Sequence, residues 1–489
     1  MASDPPTLPQ ELIDHVIGIL AESGVAQLEN VSLASRSLSV SCQPHQFKRL
    51  TIATYPTRTM KNTLRKISVF KRNPELLQHA RILTMDVNGY HCNESISISN
   101  ADNVSDLSFV LGNLSEVQQA TLTWSNASLD GDQSSPTMTA SFFGFLTCNP
   151  LQHLSLRTAH VPSSFLDWLP PTLVSLSTFD CWITSQGTRL DPPRTSGSLQ
   201  AMTRLRFYEL VGTFNLALLK QASSVAPAIQ SVHISLDPMR SAGYAERVFS
   251  HREILTSLPS TVKELLINID LTEGHWHDPQ KVYRDVFSPG FQPNPHPSIR
   301  RFDFAVAMAD LADNVPQLTE LAVHYLLNSK LSTLTLRYYF VIRPFSETES
   351  GIVDGDFLEA RGPSNGLFPR QMYLAQLDDH LSNRNAVPGL RRMNVVASIL
   401  TYSNSERTCP EKVTVDPATR AKLTGELEDA FCRTRERVQG ERGGEFNVYL
   451  TTGMWHWHYE TRRVTLDMAP DLGSEYPLGA IEDYGLENM

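Results

Sequence analysis

From Phe47 onward one short pattern returns along the chain: an apolar residue, two of any kind, an apolar residue, one of any kind, and a third apolar residue. It reads Phe47/Leu50/Ile52, Ala80/Leu83/Met85, Val117/Ala120/Leu122, Leu151/Leu154/Leu156, Leu173/Leu176, Met202/Leu205/Phe207 and Ile229/Val232/Ile234. It continues as Val262/Leu265/Ile267, Ile299/Phe302/Phe304, Leu331/Leu334/Leu336 and Leu390/Met393/Val395. Residues two apart share one face of a strand, so the last two members of each copy predict a short strand with one buried face. Successive middle members of the first ten copies lie from 22 residues apart (154 to 176) to 37 apart (83 to 120), an irregular period near thirty. Helical periodicity falls between the copies, at 106–114, 142–146, 215–222, 252–258, 305–314 and 371–381. The predicted unit is strand, loop, helix, with long connections at 125–137, 185–198, 273–297 and 344–366. A further helix over 417–437 and a closing strand over 446–452 end the pattern.

Such a unit has apolar surface on both elements, and stacking it against similar neighbours gives a continuous core and a parallel sheet. Each buried Leu, Ile or Phe contributes roughly 1.5 to 3 kcal/mol, so no unit stands alone. The rival reading, a doubly wound sheet, lacks the G-x-G-x-x-G phosphate loop expected at its first turn.

Ahead of the first copy the pattern changes. Leu8, Leu12, Val16, Ile19 and Leu20 recur at three- and four-residue spacings and predict an amphipathic helix, with Thr7 and Gln10 placed as a capping box and Pro9 in the first turn. Leu28, Val31, Ala34 and Leu38 predict a second helix, and Pro44 to Phe47 a short third one. The residues Leu8-Pro9-Gln10-Glu11-Leu12, Ile17 and Leu20, Val31-Ser32-Leu33-Ala34-Ser35-Arg36 and the run from His45 to Leu50 resemble an F-box, the adaptor-binding element of substrate receptors in cullin-RING ubiquitin ligases. Leu38 stands where many F-boxes carry Trp, and Val25-Ala26-Gln27 replaces the acidic turn common before the second helix. The resemblance implies that Leu8, Pro9, Glu11, Leu12, Ile17, Leu20 and Leu33 meet the ligase adaptor and, through it, cullin. The copies that follow resemble a degenerate leucine-rich-repeat array, like that of many F-box receptors, although the usual Asn or Cys after the last strand leucine is mostly missing.

The expected architecture is therefore α/β: a three-helix F-box-like head over 1–50, an irregular leucine-rich-repeat-like solenoid with parallel strands over 51–452, and a C-terminal extension over 453–489. After Pro470 that extension carries Asp471, Glu475, Glu482, Asp483 and Glu487 with no basic residue. The expected function is that of a substrate-recognition subunit of a ubiquitin ligase, acting by proximity and not by catalysis; the alternative is a repeat scaffold whose first helices serve as a cap.

Composition narrows the partners. The net charge of -10 over 489 residues argues against nucleic acid or an anionic membrane surface, both of which need concentrated Lys and Arg. No run of about 18 apolar residues occurs, and Asp4, Glu11 and Asp14 interrupt any secretory leader, so a cytoplasmic or nuclear location is expected. Six scattered cysteines without a Cys-x-x-Cys pair fit packed thiols better than a disulfide framework or zinc site. Five Asn-x-Ser sequons, beginning at Asn30, Asn93, Asn103, Asn113 and Asn126, are read as polar segments only.

Candidate chemistry is sparse. His456 and His458 alternate on one strand face but lack a third ligand, His275 and His277 read as loop residues, and Asp354 and Asp356 lack the rest of a calcium loop. No nucleophile elbow, Walker loop or His-Glu-x-x-His helix occurs, so no metal, cofactor or catalytic residue is expected. The positions between the strand apolar residues are expected on the open face of the sheet. Among them arginines 157, 204, 206, 301 and 337 outnumber Glu264 and Asp303. This points to an acidic or phosphorylated target segment held by Arg157, Arg204, Arg206, Tyr208, His233 and Arg337.

Overall fold

The computed structural model describes residues 9–23, 25–53, 58–88, 101–125, 136–157, 160–162, 165–179, 181–184, 205, 207–212, 228–236, 258–271, 298–308, 330–342, 352–353, 356, 371–403, 414–458 and 463–468. It is a mixed α/β protein of parallel-strand sheets, with no closed barrel among the described residues. The chain divides into two compact units, Met1–Tyr208 with Gln221–Ala228, and Glu209–Lys220 with Ile229–Met489.

The first unit opens with three helices, α1 (Gln10–Ser23), α2 (Val25–Ser32) and α3 (Arg36–Gln46). The stripe from Leu28 to Leu38 predicts one helix, but α2 stops at Ser32 and a new helix begins after Ser35. The Ser35 side chain accepts from Leu38 N at 3.1 Å, which satisfies one of the donors a helix start leaves open. Pro44 sits inside the last part of α3, and the Thr7 of the proposed capping box lies outside the described residues. Then β1 (Arg49–Ala53), α4 (Arg58–Arg72), a 3-10 turn (Pro74–His79), β2 (Ile82–Asn88), α5 (Ala101–Asn113), β3 (Gln119–Ser125) and α6 (Pro136–Cys148) follow. The unit continues with β4 (His153–Arg157), β5 (His160–Pro162), a 3-10 turn (Phe165–Trp168), β6 (Ser175–Phe179) and β7 (Trp182–Thr184). Strands β1, β2, β3, β4 and β6 pair in that order, all parallel, and β5 pairs with β7.

The middle apolar residue of each sequence copy occupies one column of this sheet: Leu50, Leu83, Ala120, Leu154 and Leu176 are register partners, and all are buried. Entry into each strand is also repeated. The N–H groups of Arg81 and Ile82 both donate to Lys48 O, those of Gln118 and Gln119 to Arg81 O, and those of Gln152 and His153 to Gln118 O. Asn149 reinforces this edge from inside: its Nδ2 donates to the carbonyls of Leu114 and Phe145, and its Oδ1 accepts from Val117 N, each at 2.9 Å. One buried amide thereby joins the ends of α5 and α6 to the approach of β3.

Strand β8 (Phe207–Gly212) straddles the division between the units. The second unit then contains β9 (Ser231–Leu236), β10 (Glu264–Leu271), β11 (Arg301–Met308), β12 (Thr333–Ile342), β13 (Ile352–Val353) and α7 (Gln371–Ser382). It ends with β14 (Arg392–Ser403), β15 (Thr414–Val415), α8 (Pro417–Ala430), α9 (Cys432–Gln439), β16 (Glu445–His458) and β17 (Arg463–Met468). Strands β9, β10, β11, β12, β14 and β16 pair in that order, all parallel, β17 closes the edge antiparallel to β16, and β13 pairs with β15. This unit has a column of the same kind, with Val232, Leu265, Phe302, Leu334, Met393 and Phe446 as register partners. Within each unit the strand order follows the chain, whereas a doubly wound sheet reverses direction at its first strand.

Two expectations change in this unit. The helix expected from Ala305 gives way to strand, because β11 runs on to Met308. The single helix expected over 417–437 is two, broken at Phe431, whose ring is fully buried. The helices expected at 215–222 and, up to residue 257, at 252–258, like the loops at 185–198 and 273–297 and the tail after Pro470, lie outside the described residues.

The link from α9 to β16 turns on two glycines with different demands. Gly443 has φ +77°, a conformation that disfavours side chains, but a Cβ there would meet nothing within 4 Å. A Cβ on Gly444 would lie 1.7 Å from Val438 O. Gly443→Ala is expected to cost about 1 kcal/mol and Gly444→Ala about 3, read as shifts in the urea midpoint of the second unit.

Candidate functional site

The three N-terminal helices sort their apolar residues into two sets. Ile17, Leu28 and Cys42 form a buried cluster, with Ile13, Leu20, Ala21, Val31 and Leu38 packed around it. Burial also raises the Cys42 thiol pKa, keeping it a neutral packing group. Ile17, expected to meet a partner, is therefore spent on joining α1 to its neighbours, and Leu20 is half-buried against the same cluster. The second set faces out: Leu12, Val16 and Ile19 are 52, 54 and 53% exposed, Val40 is 58% and Leu33, in the turn after α2, is 85%. Leu12, Val16 and Ile19 fall at i, i+4 and i+7 and share one face of α1. Pro9 and Glu11 are exposed at the start of that helix, and Pro9 O accepts from Leu12 N at 3.1 Å and Ile13 N at 3.3 Å. Gln10 Nε2 donates to Asp14 Oδ1 (2.8 Å) and Ser41 Oγ (2.7 Å), tying the first turn of α1 to α3. Leu8 lies outside the described residues. Val16 and Ile19 belong to the predicted helical stripe but not to the expected adaptor-binding set, and Val40 belongs to neither, because periodicity alone does not say which apolar stripe of a short helix turns inward.

The expected target-binding residues separate. Arg157 is half-buried at the end of β4, Arg204 and Arg206 lie outside the described residues, and Tyr208 belongs to β8 with its side chain outside them. His233 is half-buried on β9, and Arg337 on β12 is only 3% exposed. Arg337 thus departs from the expectation of an open strand face. The reason is that β11, β12 and β14 are covered on both sides. Asp303 and Ala305 are buried beside Phe302 and Phe304, Thr335 and Arg337 beside Leu334 and Leu336, and Asn394, Val396 and Ser398 beside Val395 and Ala397. The unbroken run Val395-Val396-Ala397 was the sequence signal for this.

Those inward polar groups form a row across the sheet, in which His233, Leu266, Asp303, Thr335, Asn394 and Asn447 are successive register partners. Asn394 Nδ2 donates to Thr335 Oγ1 at 3.4 Å and Asn447 Nδ2 to Asn394 Oδ1 at 3.1 Å. Asp303 Oδ2 lies 3.4 Å from Arg301 Nη2 and 3.6 Å from Arg337 Nη2, so its carboxylate offsets one of the two guanidiniums. Arg337 is committed to an internal ion pair and is not presented to a target.

Burial pushes the His233 pKa from its ordinary 6.5 down to about 4; Asp303 opposes this, and Arg301 and Arg337 reinforce it. Between those two values the unfolded chain holds a proton on this imidazole that the folded chain does not. The His233 contribution to stability is therefore present above pH 6.5 and is lost as pH falls toward 4. His233→Gln is expected to flatten the fall in urea midpoint over that interval by on the order of 2 kcal/mol, discounted for the partial exposure of the ring.

Among the described residues no group of three or more His, Cys, Asp and Glu side chains is placed to hold a metal ion. His275, His277 and Asp354 lie outside them, and so do the side chains of His456 and His458 on β16. No described helix is long and apolar enough to cross a membrane. Comparison with protein-family models and with curated proteins finds no match to this chain.

Proposed function

We propose that the chain is a substrate-recognition subunit of a cullin-RING ubiquitin ligase. In this reading residues 1–50 are an F-box-like head that docks to the ligase adaptor, and residues 51–452 are a leucine-rich-repeat-like solenoid that holds a target protein. The chain supplies no catalysis and works in the cytoplasm or nucleus by raising the effective concentration of target lysines near a partner enzyme. The observation that carries the proposal is the exposed apolar set of Leu12, Val16 and Ile19 on α1 and Leu33 in the turn after α2, beside helices that already share a buried cluster at Ile17, Leu28 and Cys42. A surface of this kind beside a Leu-Pro-x-Glu-Leu opening is suited to a helix-lined groove on a partner. The shared register of the apolar column supports the repeat reading.

Affinity capture of the full chain from cells tests it. Adaptor and cullin are expected with the wild type and absent with Leu12→Asp; recovery of neither with the wild type would favour a scaffold outside the ligase.

A further inference from the structure

The basic surface of the second unit lies one step before its strands, at the edge where they begin. There Gln230, Lys263, Arg300, Ser332 and Arg391 form a continuous backbone ladder. Lys263 N donates to Gln230 O at 2.8 Å, Arg300 N to Lys263 O at 2.7 Å, Ser332 N to Arg300 O at 2.8 Å and Arg391 N to Ser332 O at 2.9 Å. Lys263, Arg300 and Arg391 are exposed, as is Lys330 at the same edge, and no described carboxylate lies within ion-pair distance of any of the four. The neighbouring charges are mostly committed: Arg392 pairs with Glu445 at 2.8 Å, Arg301 shares Asp303 with Arg337, and Glu264 is the remaining exposed carboxylate of these strand starts. Four free cations against one carboxylate stand out in a chain of net charge -10.

We infer that this edge binds an acidic, extended segment of a partner protein, with Lys263, Arg300 and Arg391 as its charge-assisted donors. Adjacent strands lie about 4.8 Å apart, so Lys263 to Arg391 spans roughly 14 Å, the length of about four extended residues. A run of Asp and Glu with two or three carboxylates in five positions matches that spacing. The assignment rests on the receptor reading only in calling this segment a target. It concerns the purified chain alone, so its failure is distinct from a failure to recover the adaptor.

The test is fluorescence anisotropy of a labelled octaglutamate peptide with the full chain and with Lys263→Glu/Arg300→Glu/Arg391→Glu. The wild type is expected to bind at low ionic strength and weaken with added salt, and the triple variant to lose about tenfold or more while unfolding at the same urea midpoint. Equal binding by the two would overturn the inference. So would tighter binding of a single-stranded oligonucleotide of equal charge, which would assign the edge to nucleic acid. A tenfold gain on neutralising Asp471, Glu475, Glu482, Asp483 and Glu487 would overturn it too, by making the chain's own tail the occupant.

Discussion

Replacing Arg437 by methionine is expected to destabilise the second unit by about 4 kcal/mol. The residue is 8% exposed on α9 and carries its charge into a ring of carbonyls. Nη1 donates to Leu381 O and Asn383 O, and Nη2 to Val387 O, all in the stretch that leads from α7 into β14. Glu441 offers only a distant partner, at 3.8 Å from Nε, so the carbonyls are the main stabilisers of the charge. Methionine keeps the apolar stem and removes every donor. Asn383 O and Val387 O still accept from nearby backbone N–H groups, which limits the loss to a fraction of the three hydrogen bonds to a charged group, each worth about 1.5 to 3 kcal/mol.

Asp378 works on the same joint from the other side. Its Oδ1 accepts from Thr434 N at 2.8 Å and its Oδ2 from Arg433 N at 3.1 Å, so a buried carboxylate from α7 caps the start of α9. Combined with Arg437→Met, Asp378→Asn should cost less than the sum of the two single changes, because both hold α9 in one position. Hydrogen exchange on peptides covering 371–391 and 432–450 reads this without assuming that a two-unit chain unfolds in one step. Loss of less than 1 kcal/mol of protection there would contradict it.

Asp378 and Arg437 also mark where sequence reading stops. In sequence they are ordinary charged positions of helical stretches; their burial follows from how α7 packs on α8 and α9 and how those two pack on β16, which no local pattern encodes. The apolar columns, Leu50 to Leu176 in the first unit and Val232 to Phe446 in the second, are legible because period-two alternation and burial on one face are the same constraint. The inward row Asp303, Thr335 and Asn394 was not, since the cover on a strand's second face comes from elsewhere in the chain. Helix α4 falls between two copies of the repeat pattern, and Thr63, Ile67 and Phe70 bury one side of it among its many Lys and Arg residues. At the head, the spacing of Leu8 to Leu20 indicated a helix, yet it could not assign Ile17 to the inside and Leu12 to the outside.

That last division sets the sharpest expectation for binding. Leu12→Asp should weaken adaptor affinity at least 100-fold. Burying a leucine contributes roughly 1.5 to 3 kcal/mol, and forcing an unpaired carboxylate into the same contact adds about as much again. Because Leu12 is half exposed in the free chain, the variant should fold normally, within about 0.5 kcal/mol of wild type. Ile17→Ala, by contrast, removes a core side chain and should loosen all three helices before it touches any partner. Calorimetric titration of purified ligase adaptor into the purified full chain decides the matter. The proposed receptor binds one adaptor per chain, and Leu12→Asp abolishes the heat without changing the melting temperature; a wild-type chain that gives no binding, or a variant that binds as well as wild type, would contradict the account.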